Sequence, residues 1–179
     1  SSLEDHLDKV EQVLSRLETT GLKINIHKSA FCRQECEYLG FWITRNGIKP
    51  LNKKVEAINN IATPTTKKQL RCFIGMINYY RGMWQSRSKL LEPLSSLTSK
   101  KVKWLWTDVH QAAFDGMKKT IARDTILAYP DFNKPFHVHT DSSKVQLGAV
   151  ISQDDKPIAF YSRKLSGAQT RYTTTKHEL

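Results

Sequence analysis

Residues 66–84 read TKKQLRCFIGMINYYRGMW. Thr66 and Gln69 stand at capping-box spacing, which predicts a helix starting there. At a helical period, Leu70, Phe73, Ile74, Ile77, Tyr80 and Trp84 fall on one side. Lys68, Arg71, Gly75, Asn78 and Gly82 fill an arc of roughly 80° on the other. A glycine inside a helix costs about 1 kcal/mol relative to alanine, so two on the face that carries the cations call for a reason. One reason is close packing against another helix. The other is a bulky polyanion lying along the backbone, with Lys68 and Arg71 taking phosphates and Asn78 reaching sugar or base edges.

Working outward toward the N-terminus, a helix is predicted from about Leu51, with Val55, Ile58 and Ile61 as its buried stripe and Pro64 beyond its end. Residues 22–26 and 36–44 read as extended runs, and Asn46-Gly47 as a turn. Leu3, Leu7, Val10, Leu14 and Leu17 form one helical face, closed by Gly21. Toward the C-terminus, Leu90, Leu91, Leu94 and Leu97 make another stripe, with Pro93 expected to start or kink its last turns. Residues 102–106 read as a short extended piece. Thr107 can cap a helix that buries Ala113, Phe114, Met117 and Ile121. After a Pro-rich linker the period changes to two. Phe136, Val138 and Thr140 alternate with His137, His139 and Asp141, and residues 147–152 and 158–162 read as further strands. A helix is expected near Thr174. A three-strand meander cannot cover its own sheet, so it either packs on the preceding helices or is part of a larger fold.

The 179 residues carry 28 Lys and Arg against 17 Asp and Glu, a formal net charge of +11 spread over most of the chain. Such a surplus favours polyanionic partners without setting a fold. No apolar run reaches the roughly 18 residues of a membrane span, and the N-terminus lacks a signal-peptide layout, so no membrane partner is expected. Cys32, Cys36 and Cys72 form no disulfide framework and suit a reducing compartment. His27 with Cys32 and Cys36 matches no common zinc spacing. His137-x-His139 is more simply a pair of partly exposed strand positions than a metal site. Asp141, at the end of a strand and before Ser142-Ser143, is placed either to start a turn or to hold Mg²⁺ together with substrate phosphate. Glu178 alone is an ordinary first-turn acid.

Taken together and in this order, these features resemble the gypsy-type long-terminal-repeat retrotransposon reverse transcriptases. Lys28-Ser29-Ala30-Phe31 is similar to the family's Lys-Cys-x-Phe, with Ser29 in place of the cysteine. Tyr38-Leu39-Gly40-Phe41 and Asn46-Gly47-Ile48 resemble the primer-grip region. Residues 69–75 with Asn78-Tyr79-Tyr80-Arg81 resemble the thumb signature, and Tyr129-Pro130-Asp131-Phe132 and Thr140-Asp141-Ser142-Ser143 the lead into ribonuclease H. The resemblance implies an α+β architecture: residues 1–50 as the end of a palm with a primer-grip-like hairpin, 51–100 as a helical thumb, 101–134 as a connection, and 135–179 as the first half of a ribonuclease H-like mixed sheet. It implies duplex contacts at Tyr38, Leu39, Gly40, Phe41, Lys68, Arg71, Gly75, Asn78 and Tyr79. It also implies that Asp141 and Glu178 are the first two acids of a nuclease site using paired Mg²⁺ ions.

The parent activity so implied is reverse transcription with RNA-strand cleavage of RNA–DNA hybrids, in a cytoplasmic, virus-like-particle setting with a nuclear stage. The family's polymerase Asp-Asp pair and its further nuclease acids fall outside these residues, which argues against full activity in this chain alone. The expected partner is a primer–template duplex or RNA–DNA hybrid. The alternatives are a non-catalytic nucleic-acid-binding remnant, domesticated or decayed, and a nuclease that completes its site by dimerising.

Overall fold

The structure is a computed structural model and describes residues 2–123, 125–143 and 146–173. It divides into two compact units, Ser1–Gln34 and Glu35–Leu179.

The first unit holds helix α1, Leu3–Thr19. Ser2 caps it by accepting a hydrogen bond from the Asp5 N–H at 3.1 Å, and Glu4 and Asp5 place negative charge on its positive end. Gly21 leaves the helix with φ +73°, a conformation that costs glycine little. The run 22–26 is not a strand. Asn25 accepts from the Lys28 N–H at 3.2 Å, and this local bond closes a single 3₁₀ turn over Ile26–Lys28.

The second unit opens with an antiparallel sheet of β1 Cys36–Tyr38, β2 Phe41–Thr44 and β3 Gly47–Pro50. The expected single run over 36–44 is two strands, broken where Leu39 and Gly40 both take positive φ, +45° and +79°. Two left-handed residues give the tight turn whose twist matches a hairpin. Gly47 has φ +139°, and a Cβ on it would lie 2.1 Å from the Leu127 carbonyl oxygen. Its bare backbone lets Ile48 and Leu127 exchange hydrogen bonds of 2.8 and 2.9 Å.

Four helices follow: α2 Asn52–Asn59, α3 Lys67–Tyr79, α4 Arg87–Leu97 and α5 Asp108–Ile121. Thr66 caps α3 by accepting from the Gln69 N–H, and Gln69 reaches back to Thr65 rather than to Thr66. Leu70, Phe73 and Ile77 of α3, Leu91, Leu94 and Leu97 of α4, and Phe114, Met117 and Ile121 of α5 form one core with Ile58. The rings of Phe73 and Phe114 sit 4.5 Å apart at its centre. Burying each such side chain contributes about 2–3 kcal/mol. Two lysines close helix ends. Lys118 donates to the Asn59 and Ile61 carbonyls behind α2, and Lys67 to the Ser99 and Val102 carbonyls behind α4. Pro93 lies inside α4. Residues 102–106 pair with no strand; Trp104 and Trp106 stack there at 5.8 Å between centroids.

The second sheet has the order β4 His137–Ser142, β5 Gln146–Gln153, β6 Lys156–Lys164. Where a mixed sheet was expected, the described strands are all antiparallel. Asp154 and Asp155, at φ +48° and +59°, form the hairpin turn. β6 rests on the helices: the Ser88 N–H donates to Ser162 Oγ at 2.9 Å, the Phe160 N–H to the Gly82 carbonyl at 3.0 Å, and Lys164 pairs with Glu92 at 2.9 Å. β4 does not have the half-buried face its alternation predicts. It is the outer strand, His137 to Asp141 are all exposed, and Val138 is 60% exposed. No helix among the described residues is long and apolar enough to cross a membrane.

Candidate nucleic-acid interface

The polar side of α3 is free. Lys68, Arg71, Gly75 and Asn78 are exposed, opposite the buried Leu70, Phe73 and Ile77. A Cβ on Gly75 would meet nothing within 4 Å, so close helix packing does not explain that glycine. Gly82 is different. It lies beyond the end of α3, where the helical wheel no longer applies, and its carbonyl accepts from β6. Two flank side chains also serve the fold. Arg71 Nη2 donates to the Thr98 carbonyl at 2.8 Å, and Asn78 Oδ1 accepts from Arg87 Nη1. Lys68 has neither hydrogen bond nor ion pair among the described residues.

The hairpin turn is locked to the end of α3. Tyr79 Oη donates to the Leu39 carbonyl at 2.5 Å, and Tyr80 Oη to the Gly40 carbonyl at 2.9 Å. Phe41 lies stacked on Tyr79 and edge-on to Tyr80, with centroids 5.8 and 5.1 Å apart. A Cβ on Gly40 would stand 3.2 Å from Tyr80 Oη and 3.3 Å from Tyr79 Cε1, in a left-handed conformation that already disfavours a side chain. Burial, with Tyr79 beside it, pushes the Tyr80 hydroxyl above the usual tyrosine range, so it remains a donor. Between the turn, α2 and α3 runs an open cleft of about 630 Å³ whose lining includes Gly40, Lys54, Cys72, Gly75, Met76 and Tyr79. Gly40, Gly75 and Tyr79 therefore meet at one cleft, with Phe41 stacked on Tyr79; Tyr38 and Leu39 are exposed just before Gly40 in the chain, and Lys68 and Arg71 lie up the same helix. Sequence reasoning missed Lys54, Cys72 and Met76. Cys72 and Met76 sit four apart beside the glycine flank, a spacing that could have shown them.

The carboxylate prediction is less complete. Asp141 is exposed on β4 opposite Gly148, at a small cleft of about 80 Å³ shared with Gln85, Ser86, His139 and Tyr161. Among the described residues no group of three His, Cys, Asp or Glu could hold a metal ion. Glu178 lies outside the described residues. Mg²⁺ takes one or two carboxylates together with waters and substrate phosphate oxygens, and among the described residues the Asp141 cleft supplies one carboxylate.

Residues 106–179 match the RNase H-like domain found in reverse transcriptase. The chain is 37% identical, over 98% of its own length and 19% of the other's, to the retrovirus-related Pol polyprotein from transposon opus of Drosophila melanogaster. With the Pol polyprotein from transposon 297 of the same fly it is 37% identical over all of this chain and 17% of that one. With the transposon Tf2-3 polyprotein of Schizosaccharomyces pombe it is 33% identical over 99% and 14%. The chain thus spans less than a fifth of each of these relatives. Among solved structures, a foamy viral protease-reverse transcriptase in complex with RNA/DNA hybrid superposes with TM-score 0.85 at 26% identity, over 99% of this chain and 25% of that one. Its dRH form in complex with double-stranded DNA gives 0.83 at 26% identity, over 99% and 32%.

Proposed function

We propose, for a chain homologous along its whole length to the reverse transcriptase–ribonuclease H segment of transposon Pol polyproteins, that its role is to hold a primer–template or RNA–DNA hybrid duplex. The observation that carries this reading is the open flank of α3: an exposed glycine with empty space above it, next to a turn fastened by two tyrosine hydroxyls. Lys68 and Arg71 supply phosphate contacts there, Gly75 the close approach, and Asn78, Tyr79 and the 38–41 turn contacts to sugars and base edges. The polypeptide as a whole would carry reverse transcription and hybrid cleavage, with Asp141 and Glu178 among the ligands of Mg²⁺. Duplex binding without nucleotide incorporation is the activity expected of these 179 residues by themselves.

The test is fluorescence anisotropy of a labelled RNA–DNA hybrid over a series of salt concentrations. Lys68→Glu, chosen because Lys68 holds nothing else in place, is expected to weaken binding and lower the salt slope by about one or more. Unchanged affinity and slope would remove the flank as the contact surface. Genuine primer extension by the purified chain would overturn the expectation of no incorporation.

A further inference from the structure

A second cleft, of about 580 Å³, lies where the end of α3, the start of α4 and the strand β6 meet. Arg81, Arg87, Arg163 and Lys164 line it, and no carboxylate does. Lys164 is paired with Glu92 and Arg163 Nη2 donates to Gln169 Oε1 at 3.1 Å, but none of the three arginines forms an ion pair among the described residues. Arg87 is the informative one. It is half-buried, its Nη1 and Nη2 donate only to the neutral Asn78 amide and Ser162 carbonyl, and its Nε–H is buried without an acceptor among the described residues. A partly buried guanidinium ordinarily has a carboxylate against it. Here burial, together with the like charge of Arg81, lowers its proton affinity.

The helix does not account for Arg87 either. It is the first residue of α4, whose opening turn holds no acid, so a cation stands at the positive end of the helix dipole. Local structure and charge pairing both count against a cation at this position. A ligand that brings negative charge and several acceptor oxygens would offset them.

We propose that this cleft is a phosphate-binding site, in which Arg81, Arg87 and Arg163 grip the oxygens of one phosphate group. The guanidinium fork suits phosphate geometry, and clustered cations in a concave, partly apolar site focus positive potential on it. The site is separate from the Gly40–Gly75 cleft, and the phosphate can come from a nucleic-acid backbone or be free in solution.

The experiment compares the intact chain with Arg81→Gln and, from the β6 side, Arg163→Gln, each first checked for an unchanged melting temperature. Both side chains lie at the surface, so neither change removes core packing. If a backbone phosphate is the ligand, each variant binds an RNA–DNA hybrid several-fold more weakly and its salt slope falls by about one, while inorganic phosphate at constant ionic strength leaves hybrid binding unchanged. If free phosphate is the ligand, adding inorganic phosphate moves the Arg87 Nε–H resonance of the unsubstituted chain, and hybrid binding ignores both substitutions. If neither hybrid binding nor that resonance responds, the proposal fails. Lys68→Glu measured in parallel separates the two sites: a response to Lys68 alone leaves the α3 flank standing without this cleft, and a response to the arginines alone does the reverse.

Discussion

Helix α3 and strand β4 both alternate apolar with polar residues, yet the alternation has opposite outcomes. In α3 the apolar side is buried at Leu70, Phe73 and Ile77 and partly buried at Ile74, while the other side stays in water. In β4 both faces are exposed, Val138 along with the histidines on either side of it. A periodic pattern says which side of an element is fit to be buried. It does not say whether a second layer is there to bury it. α3 finds its layer in α4 and α5, close by in sequence, whereas β4 is an outer strand with one neighbour.

That contrast can be measured. The largest effect should come from Phe73→Ala, which empties the centre of the helical core and should cost about 3–5 kcal/mol in chemical denaturation. A loss below about 1 kcal/mol would mean that the helices do not hold the fold. Next comes Gly47→Ala, which tests a contact that neither pattern announces. The new methyl collides with backbone at Leu127, and the strain with the lost bridge should amount to about 2–3 kcal/mol. Tyr80→Phe removes only the bond that ties the Gly40 carbonyl to the helix end and should cost about 1 kcal/mol, with hybrid affinity falling as the turn loosens. Val138→Thr should change stability by less than about 0.5 kcal/mol. A loss near that of Phe73→Ala would show that β4 is covered in solution and would erase the contrast.

Much of the helical part was legible because its signals are local. Thr66 lies one residue from the helix it caps, and the stripe of Leu70, Phe73 and Ile77 is written at a single period. The errors also have local causes. Residues 22–26 look extended, but Asn25 turns the chain by bonding the Lys28 N–H. Residues 36–44 look continuous, but Leu39 and Gly40 fold them over. In the candidate site, Gly40, Gly75 and Tyr79 could be named beforehand, while the hydroxyl of Tyr80, read only as a core ring, could not be seen to reach a turn forty positions earlier in the chain. Arg87 was passed over altogether. Its one sequence signal is a basic residue opening a helix that has no acid in its first turn.

The bond pair between Ile48 and Leu127 also orders events in time. The outer edge of the first hairpin is finished by a segment that leaves the ribosome only after all four helices have been made, and Tyr129 adds a hydroxyl bond of 2.8 Å to the Thr44 carbonyl just behind it. At about 5–20 residues per second, the hairpin waits several seconds for its last strand partner. Pairing across so long a stretch of chain is slow to form, so the edge of β3 is the stretch a chaperone or a stray strand can reach during synthesis.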